Sequence, residues 1–167
     1  LALATDSGTV AESLLIEAIA ASAAPPSPRY RWLLAKRYEV GGHLDLALRL
    51  AHSITMPSTW RFGQDEVLGH LFYYASALML EAEALERLGH LEEATAKYQE
   101  FVDLRADADS ALQGEVGEVH LRLGKLAFDR HDYVAAWQHV DQARRRGALP
   151  PSDFLDALRR AQPEPTR

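Results

Sequence analysis

The sequence predicts an all-α protein, and three observations carry that expectation. Apolar residues recur with helical spacing in several segments, no segment alternates apolar and polar residues with period two, and glycines and prolines punctuate the helical stretches. Leu and Ala dominate the 167 residues while Val, Ile and Thr are sparse, which leans the same way. With 47% hydrophobic and 25% charged residues the chain has the makeup of one folded domain, not of a disordered segment.

The elements follow in order. Thr9 and Glu12 are spaced as a capping box, in which each side chain bonds the other's free backbone amide, so an N-terminal helix is expected over about 9–24. Pro25, Pro26 and Pro28 end it, and Ser27 reads as the N-cap of a helix from Pro28 to Val40 that stops at Gly41-Gly42. The next helix, about Leu44 to Thr55, sets Leu44, Ala47, Leu48, Ala51 and Ile54 on one face before Met56-Pro57-Ser58. A long helix from about Glu66 to Leu88 carries the stripe Leu71, Ala75, Leu78, Ala82 and Leu85 and stops at Gly89. Its partner, about Leu91 to Leu104, shows Leu91, Ala94, Tyr98, Phe101 and Val102 on one side.

Ala106–Asp109 reads as a loop, and Ser110 with Gln113 as a second capping box before a helix over about Ala111–Asp129. Gly114 and Gly117 lie inside it, each costing about 1 kcal/mol relative to Ala, and mark either a close helix contact or a break. A partner from Tyr133 to Arg146 ends at Gly147, with Arg144, Arg145 and Arg146 at the negative end of its dipole. After Pro150-Pro151, Ser152 is expected to cap a short helix over 152–162, followed by an irregular tail around Pro163 and Pro165.

Three helix pairs share one internal register. The first has Ala35, Tyr38, Gly42, Ala47, Ala51 and Ile54; the second Ala82, Leu85, Gly89, Ala94, Tyr98 and Phe101; the third Gly124, Ala127, His131, Ala136, Val140 and Ala143. In all three, seven residues separate the first small residue from the turn, and the apolar positions of the second helix follow at five, nine and twelve. Small residues let the helices of a pair approach, the turn residue must accept a left-handed backbone, and the bulky positions fill the space towards a neighbouring pair.

These residues resemble the tetratricopeptide repeat (TPR) family: Leu123-Gly124, Ala127, Tyr133, Ala136 and Ala143 match its pattern in the third pair, and Gly89, Ala94 and Tyr98 in the second. The likeness covers about residues 28–148, with repeats near 28–61, 75–108 and 117–150. Repeat starts lie 47 and 42 residues apart, against about 34 in the family, and such stretched repeats look like those in bacterial regulatory proteins with TPR-like sensor regions. The resemblance implies a right-handed α-solenoid of helical hairpins, one domain over 1–167, with an N-terminal helix and a short C-terminal capping helix.

It also implies a concave groove lined by the first helix of each pair. Carried over position by position, the groove residues are Arg29, Trp32 and Lys36, then Ser76, Met79 and Glu83, then Glu118, Leu121 and Lys125 with neighbouring Arg122. Trp32, Met79 and Glu83 stand where a clamp for a terminal carboxylate needs cations or amides, so an amphipathic helix or extended peptide suits the groove better. Trp32 and Met79 equally suit packing against the N-terminal helix. Trp60, Phe62, Phe72, Tyr73 and Tyr74 form an aromatic-rich stretch that either binds a partner or fills the interface of the lengthened helix.

The remaining chemistry is expected to be bland. Net charge −6 argues against nucleic acid, and no apolar run approaches the roughly 18 residues that span a bilayer. With no cysteine there is no thiolate nucleophile or metal ligand. His43, His90 and His131 read as solvated turn residues, His52, His70, His120 and His139 as histidines without a switch partner, and no metal or cofactor is expected. Glu81, Glu83, Glu86, Glu92 and Glu93 read as a solvated face, and an enzyme is not expected.

The functional expectation is a cytoplasmic, non-catalytic scaffold that binds another protein or peptide on its concave face. One alternative is a ligand- or peptide-sensing region of a larger bacterial transcriptional regulator, since the chain begins at Leu1 without an initiator methionine. The other is a self-associating scaffold, a homodimer docked through Phe154, Leu155 and Leu158 if the last helix does not cap its own chain.

Overall fold

A computed structural model describes residues 10, 12–17, 20, 27–55, 64–105 and 110–162. Among them every regular element is helical, with no strand: α1 (Pro28–Val40), α2 (Leu44–His52), α3 (Gln64–Leu88), α4 (Leu91–Leu104), α5 (Ser110–Asp129), α6 (Tyr133–Arg145) and α7 (Ser152–Ala161). Residues 12–17 are helical as well. The Thr9 cap, the ends of the N-terminal helix, Met56–Ser58, Trp60, Phe62, the 106–109 loop and the tail from Pro163 lie outside the described residues, as do the capping side chains of Ser110 and Gln113.

The shared register appears as one hydrogen-bonding pattern repeated at three turns. Gly42, Gly89 and His131 adopt φ of 80°, 83° and 63°. The next residue's N–H reaches back five positions in each case: His43 to the Tyr38 carbonyl (2.8 Å), His90 to Leu85 (2.9 Å) and Asp132 to Ala127 (2.9 Å). The left-handed residue itself donates three positions back, to Glu39, Glu86 and Phe128 at 3.0, 3.1 and 2.9 Å. This paired closure satisfies carbonyls that a helix end leaves free. The chain then re-enters helix, with Ala47, Ala94 and Ala136 donating to the carbonyls of His43, His90 and Asp132. A fourth closure of the same kind ends α6, at Ala143, Gly147 (φ 81°) and Ala148.

Several caps differ from expectation. Ser27 is the N-cap of α1 but its side chain makes no capping bond; its carbonyl serves, and Pro28 removes a donor that would otherwise lack a partner. Pro151, not Ser152, is the N-cap of α7, again without a side-chain bond. The side-chain cap is at α6, where Asp132 accepts from the Ala135 amide at 3.0 Å. The second helix stops at His52, three residues short of Thr55, and the Ser53 hydroxyl turns back onto the Leu50 carbonyl at 2.7 Å.

The chain divides into two compact units, Leu1–Ala94 and Thr95–Arg167, the boundary falling within α4. In the first unit α1, α2 and α3 pack on one another. Ala35, Ala47, Ala51, Ile54, Ala77 and Leu80 form its core, and Trp32, Tyr38 and Leu50 close over them. Ala35, Ala47 and Ala51 carry only methyl groups, which is what lets the helix backbones approach. Arg31 donates to the Ser53 carbonyl at the end of α2 (2.7 Å), a cation placed at the negative pole of that helix. Glu39 joins α1 to α3 by taking Lys36 at 2.6 Å and Arg87 at 3.6 Å. Tyr38 is linked to Glu12 of the N-terminal stretch; burial, then that hydrogen bond and charge, push the phenol above its ordinary value.

Glu81 departs from the solvated face expected for it. It is 4% exposed and lies 3.5 Å from His52. Ala77, Leu78, Leu80, Ala82, Ala84 and Leu85 are also buried, so apolar contact surrounds most of α3 and leaves fewer solvent-facing positions than a one-stripe reading assumes. Glu83 and Glu86 are half-buried, and only Glu92 and Glu93 of the group are exposed.

In the second unit α5 lies on α6, and α7 closes the end. Gly124 and Gly117 explain the close approach. A Cβ on Gly124 would sit 3.4 Å from that of His139, and one on Gly117 only 2.8 Å from that of Ala148. Gly114 meets nothing within 4 Å, so α5, an unbroken helix, has two glycines at close contacts and one in the open. Ala127, Ala136, Trp137, Val140, Phe154 and Leu158 form the core, with Phe128 edge-on to Phe154. The Trp137 indole donates to the Gln162 carbonyl at 3.1 Å and pins the far end of α7. Phe154 and Leu158 are therefore buried against their own chain.

Candidate functional site

The residues expected to line one groove fall in both units, Arg29 to Glu83 in the first and Glu118 to Lys125 in the second. In the first unit the α1 residues separate into two faces. Trp32 turns inward, packs against the core and tilts onto Tyr73 of α3 with ring centroids 5.9 Å apart. Packing on its own unit is thus the role found for Trp32. Lys36 is paired with Glu39. Arg29 stays exposed and has no partner among the described residues.

Next to Arg29 the structure places four exposed residues that the sequence reading passed over: Tyr30, Leu33, Arg37 and Val40. At about 100° per residue, these five fall within roughly a third of the helix circumference. Ala35 on the opposite side is buried and holds the helix from behind, and buried Leu34 borders the strip. The strip contains two guanidiniums and three apolar side chains, with no carboxylate. Arg37, like Arg29, has no ion-pair or hydrogen-bond partner among the described residues. The spacing 30, 33 and 40, with Arg37 between, was available in the sequence as a second stripe on the same helix.

In α3, Ser76 bonds back to the Phe72 carbonyl at 2.8 Å, while Met79 and Glu83 are half-buried. Phe72 is exposed and meets Tyr73 edge-on at 5.2 Å, so the aromatic-rich stretch splits, Tyr73 joining Trp32 and Phe72 facing outward.

In the second unit Leu121 is buried with Ala143 and Ala148, and it belongs to the core instead of a binding surface. Glu118, Arg122 and Lys125 are exposed. Arg122 is committed, bonding the hydroxyl of buried Tyr98 at 3.2 Å with its guanidinium 5.9 Å from the ring centre.

Two histidines expected to lack partners meet each other. His120 of α5 and His139 of α6 approach Nδ1 to Nδ1 at 3.1 Å. Burial, then His139 and then Arg146, push His120 down to about 4, and burial and Arg130 push His139 down against the pull of Asp132. Nε2 of His120 is enclosed without a partner. An enclosed N–H lacking an acceptor costs more than a bare lone pair, so the hydrogen belongs on His120 Nδ1, donating to His139 Nδ1. Among the described residues no group of three or more His, Asp or Glu side chains is placed to hold an ion. His43, His90 and His131 are exposed at their turns, as expected.

Among the described residues no helix is long and apolar enough to cross a membrane. No protein-family model, curated protein or solved structure matches the chain.

Proposed function

We propose that the chain is a non-catalytic module that binds another protein or peptide, its hairpins being units of a TPR-like, right-handed α-solenoid. The recurrence of one turn geometry at Gly42, Gly89 and His131 supports the repeat reading, since identical closures at a fixed register are what stacked hairpins require. The observation that carries the binding role is the α1 strip. Arg29 and Arg37 stand exposed, without a partner among the described residues, beside exposed Tyr30 and Leu33 on a helix whose Ala35 is buried. Elsewhere in the first unit the α1 cations are in use, Arg31 at Ser53 and Lys36 at Glu39.

A helix presenting an apolar centre with charges beside it has the makeup of a recognition surface. Affinity capture from the native host, quantified by mass spectrometry, tests the reading. A partner should be retained by the wild-type chain and depleted by the exposed-face variant Tyr30→Ser/Leu33→Ser. An identical set of captured proteins for both would remove the strip as the binding surface, and capture of nothing above background would remove the binding role.

A further inference from the structure

We propose that the α1 strip is a docking surface for an acidic amphipathic helix of a partner protein. Two carboxylates set two turns apart on that helix would pair with Arg29 and Arg37, and its apolar side chains would cover Tyr30, Leu33 and Val40. This deepens the binding role proposed above and rests on it.

Charge selects the partner. Helix α1 carries Arg29, Arg31, Lys36 and Arg37 against the single carboxylate Glu39, in a chain whose net charge is −6. Glu39 is already taken by Lys36 and Arg87, so it does not neutralise the strip. Arg29 and Arg37 lie eight residues apart, about 12 Å along the axis at 1.5 Å per residue. An apposed helix bearing Glu or Asp at i and i+7 or i+8 spans the same distance. Leu33 stands midway between the two cations, and Tyr30 and Val40 extend the apolar contact towards either end.

Backbone chemistry selects the helix. The peptide groups of α1 are used within the helix and its Gly41–His43 closure, so the strip offers no free row of donors and acceptors to which an extended peptide could add as a strand. What it offers is a ridge of side chains, which packs against another such ridge. A second copy of the strip is unsuitable because like charges would face each other. An anionic bilayer is disfavoured too, since three apolar side chains insert little surface and the chain's net negative charge is repelled.

The test uses the full chain and two labelled synthetic helical peptides of about 15 residues. One has Glu at i and i+7 with Leu at i+3 and i+4; the other has Lys in place of both Glu. Fluorescence anisotropy should show binding of the Glu peptide, weakening with added salt, and loss of about tenfold or more in affinity for Arg29→Glu/Arg37→Glu. The Lys peptide should bind that variant in preference to the wild type. Both arginines are exposed, and circular dichroism confirms that the variant folds.

Equal binding of the Glu peptide to wild type and variant overturns the proposal, as does preference of the wild type for the Lys peptide, or no binding of the Glu peptide. Sedimentation with anionic vesicles, if it captures the wild type and not the variant, overturns it in favour of a membrane. Should partner capture succeed while the Glu peptide fails, the acidic-helix assignment falls and the general binding role stands.

Discussion

His120 and His139 share one hydrogen between their Nδ1 atoms across the α5–α6 contact, at 3.1 Å. The arrangement holds both rings neutral. A second proton would face the first, with Arg146 and Arg130 adding to the repulsion and Asp132 opposing it.

Acidification should loosen the second unit. Both imidazoles lie below their unfolded value of 6.5, so the folded chain binds fewer protons than the unfolded one. This contribution to stability is fully present above pH 6.5 and is lost progressively as pH falls towards the folded value of about 4 for His120. Denaturant midpoints across that range should fall with pH, and His139→Gln, which keeps a hydrogen-bonding side chain without titrating, should flatten the dependence. An equally steep dependence in the variant would count against the pair as its source.

Gly117 and Gly114 of α5 should respond oppositely to alanine. Gly117→Ala drives a methyl against Ala148, Arg146 and the Ala143 carbonyl and should destabilise by about 1–3 kcal/mol, the usual range for overpacking. Gly114→Ala meets open space within a helix and should stabilise by up to about 1 kcal/mol. Thermal unfolding of the two variants checks the sign of each change.

The turns give a second matched pair. Gly89→Ala has room for its methyl but must hold φ near 83°, so it should cost about 1 kcal/mol through the backbone alone. His131→Gly relieves a non-glycine residue at φ 63° and should stabilise by a similar amount, offset by loss of the contact with the Tyr133 hydroxyl (3.0 Å). If both substitutions destabilise equally, backbone conformation does not set the turn.

Helix α7 should release when its anchor is cut. Leu158 is fully enclosed, and Leu158→Ala is expected to cost about 2–5 kcal/mol. Hydrogen exchange over residues 152–161 should accelerate in the variant, and unchanged protection there would show that α7 does not depend on this contact.

Much of this was legible because helix ends and turns are written in neighbouring residues. The bounds of α1 and α4 and the left-handed residues 42, 89 and 131 follow from glycine, proline and a fixed register. Side-chain caps were less legible: Ser27 has the right chemistry and position but makes no side-chain bond, and Ser152 is the first helical residue after the N-cap Pro151. Least legible was which apolar or charged position a neighbouring helix would cover. Glu81 and Leu121 are buried because other elements pack on them, and His120 finds His139 nineteen residues away through helix packing. The α1 strip was not legible from the repeat pattern, which points to Arg29, Trp32 and Lys36, a face that is partly internal.

The most direct measurement of the central claim is amide chemical-shift mapping of the labelled chain as its captured partner is added. The largest changes should fall on residues 29–41, with α7 unmoved. Changes confined to other elements, leaving the signals of Tyr30, Leu33 and Arg37 in place, would contradict the assignment of α1 as the docking helix.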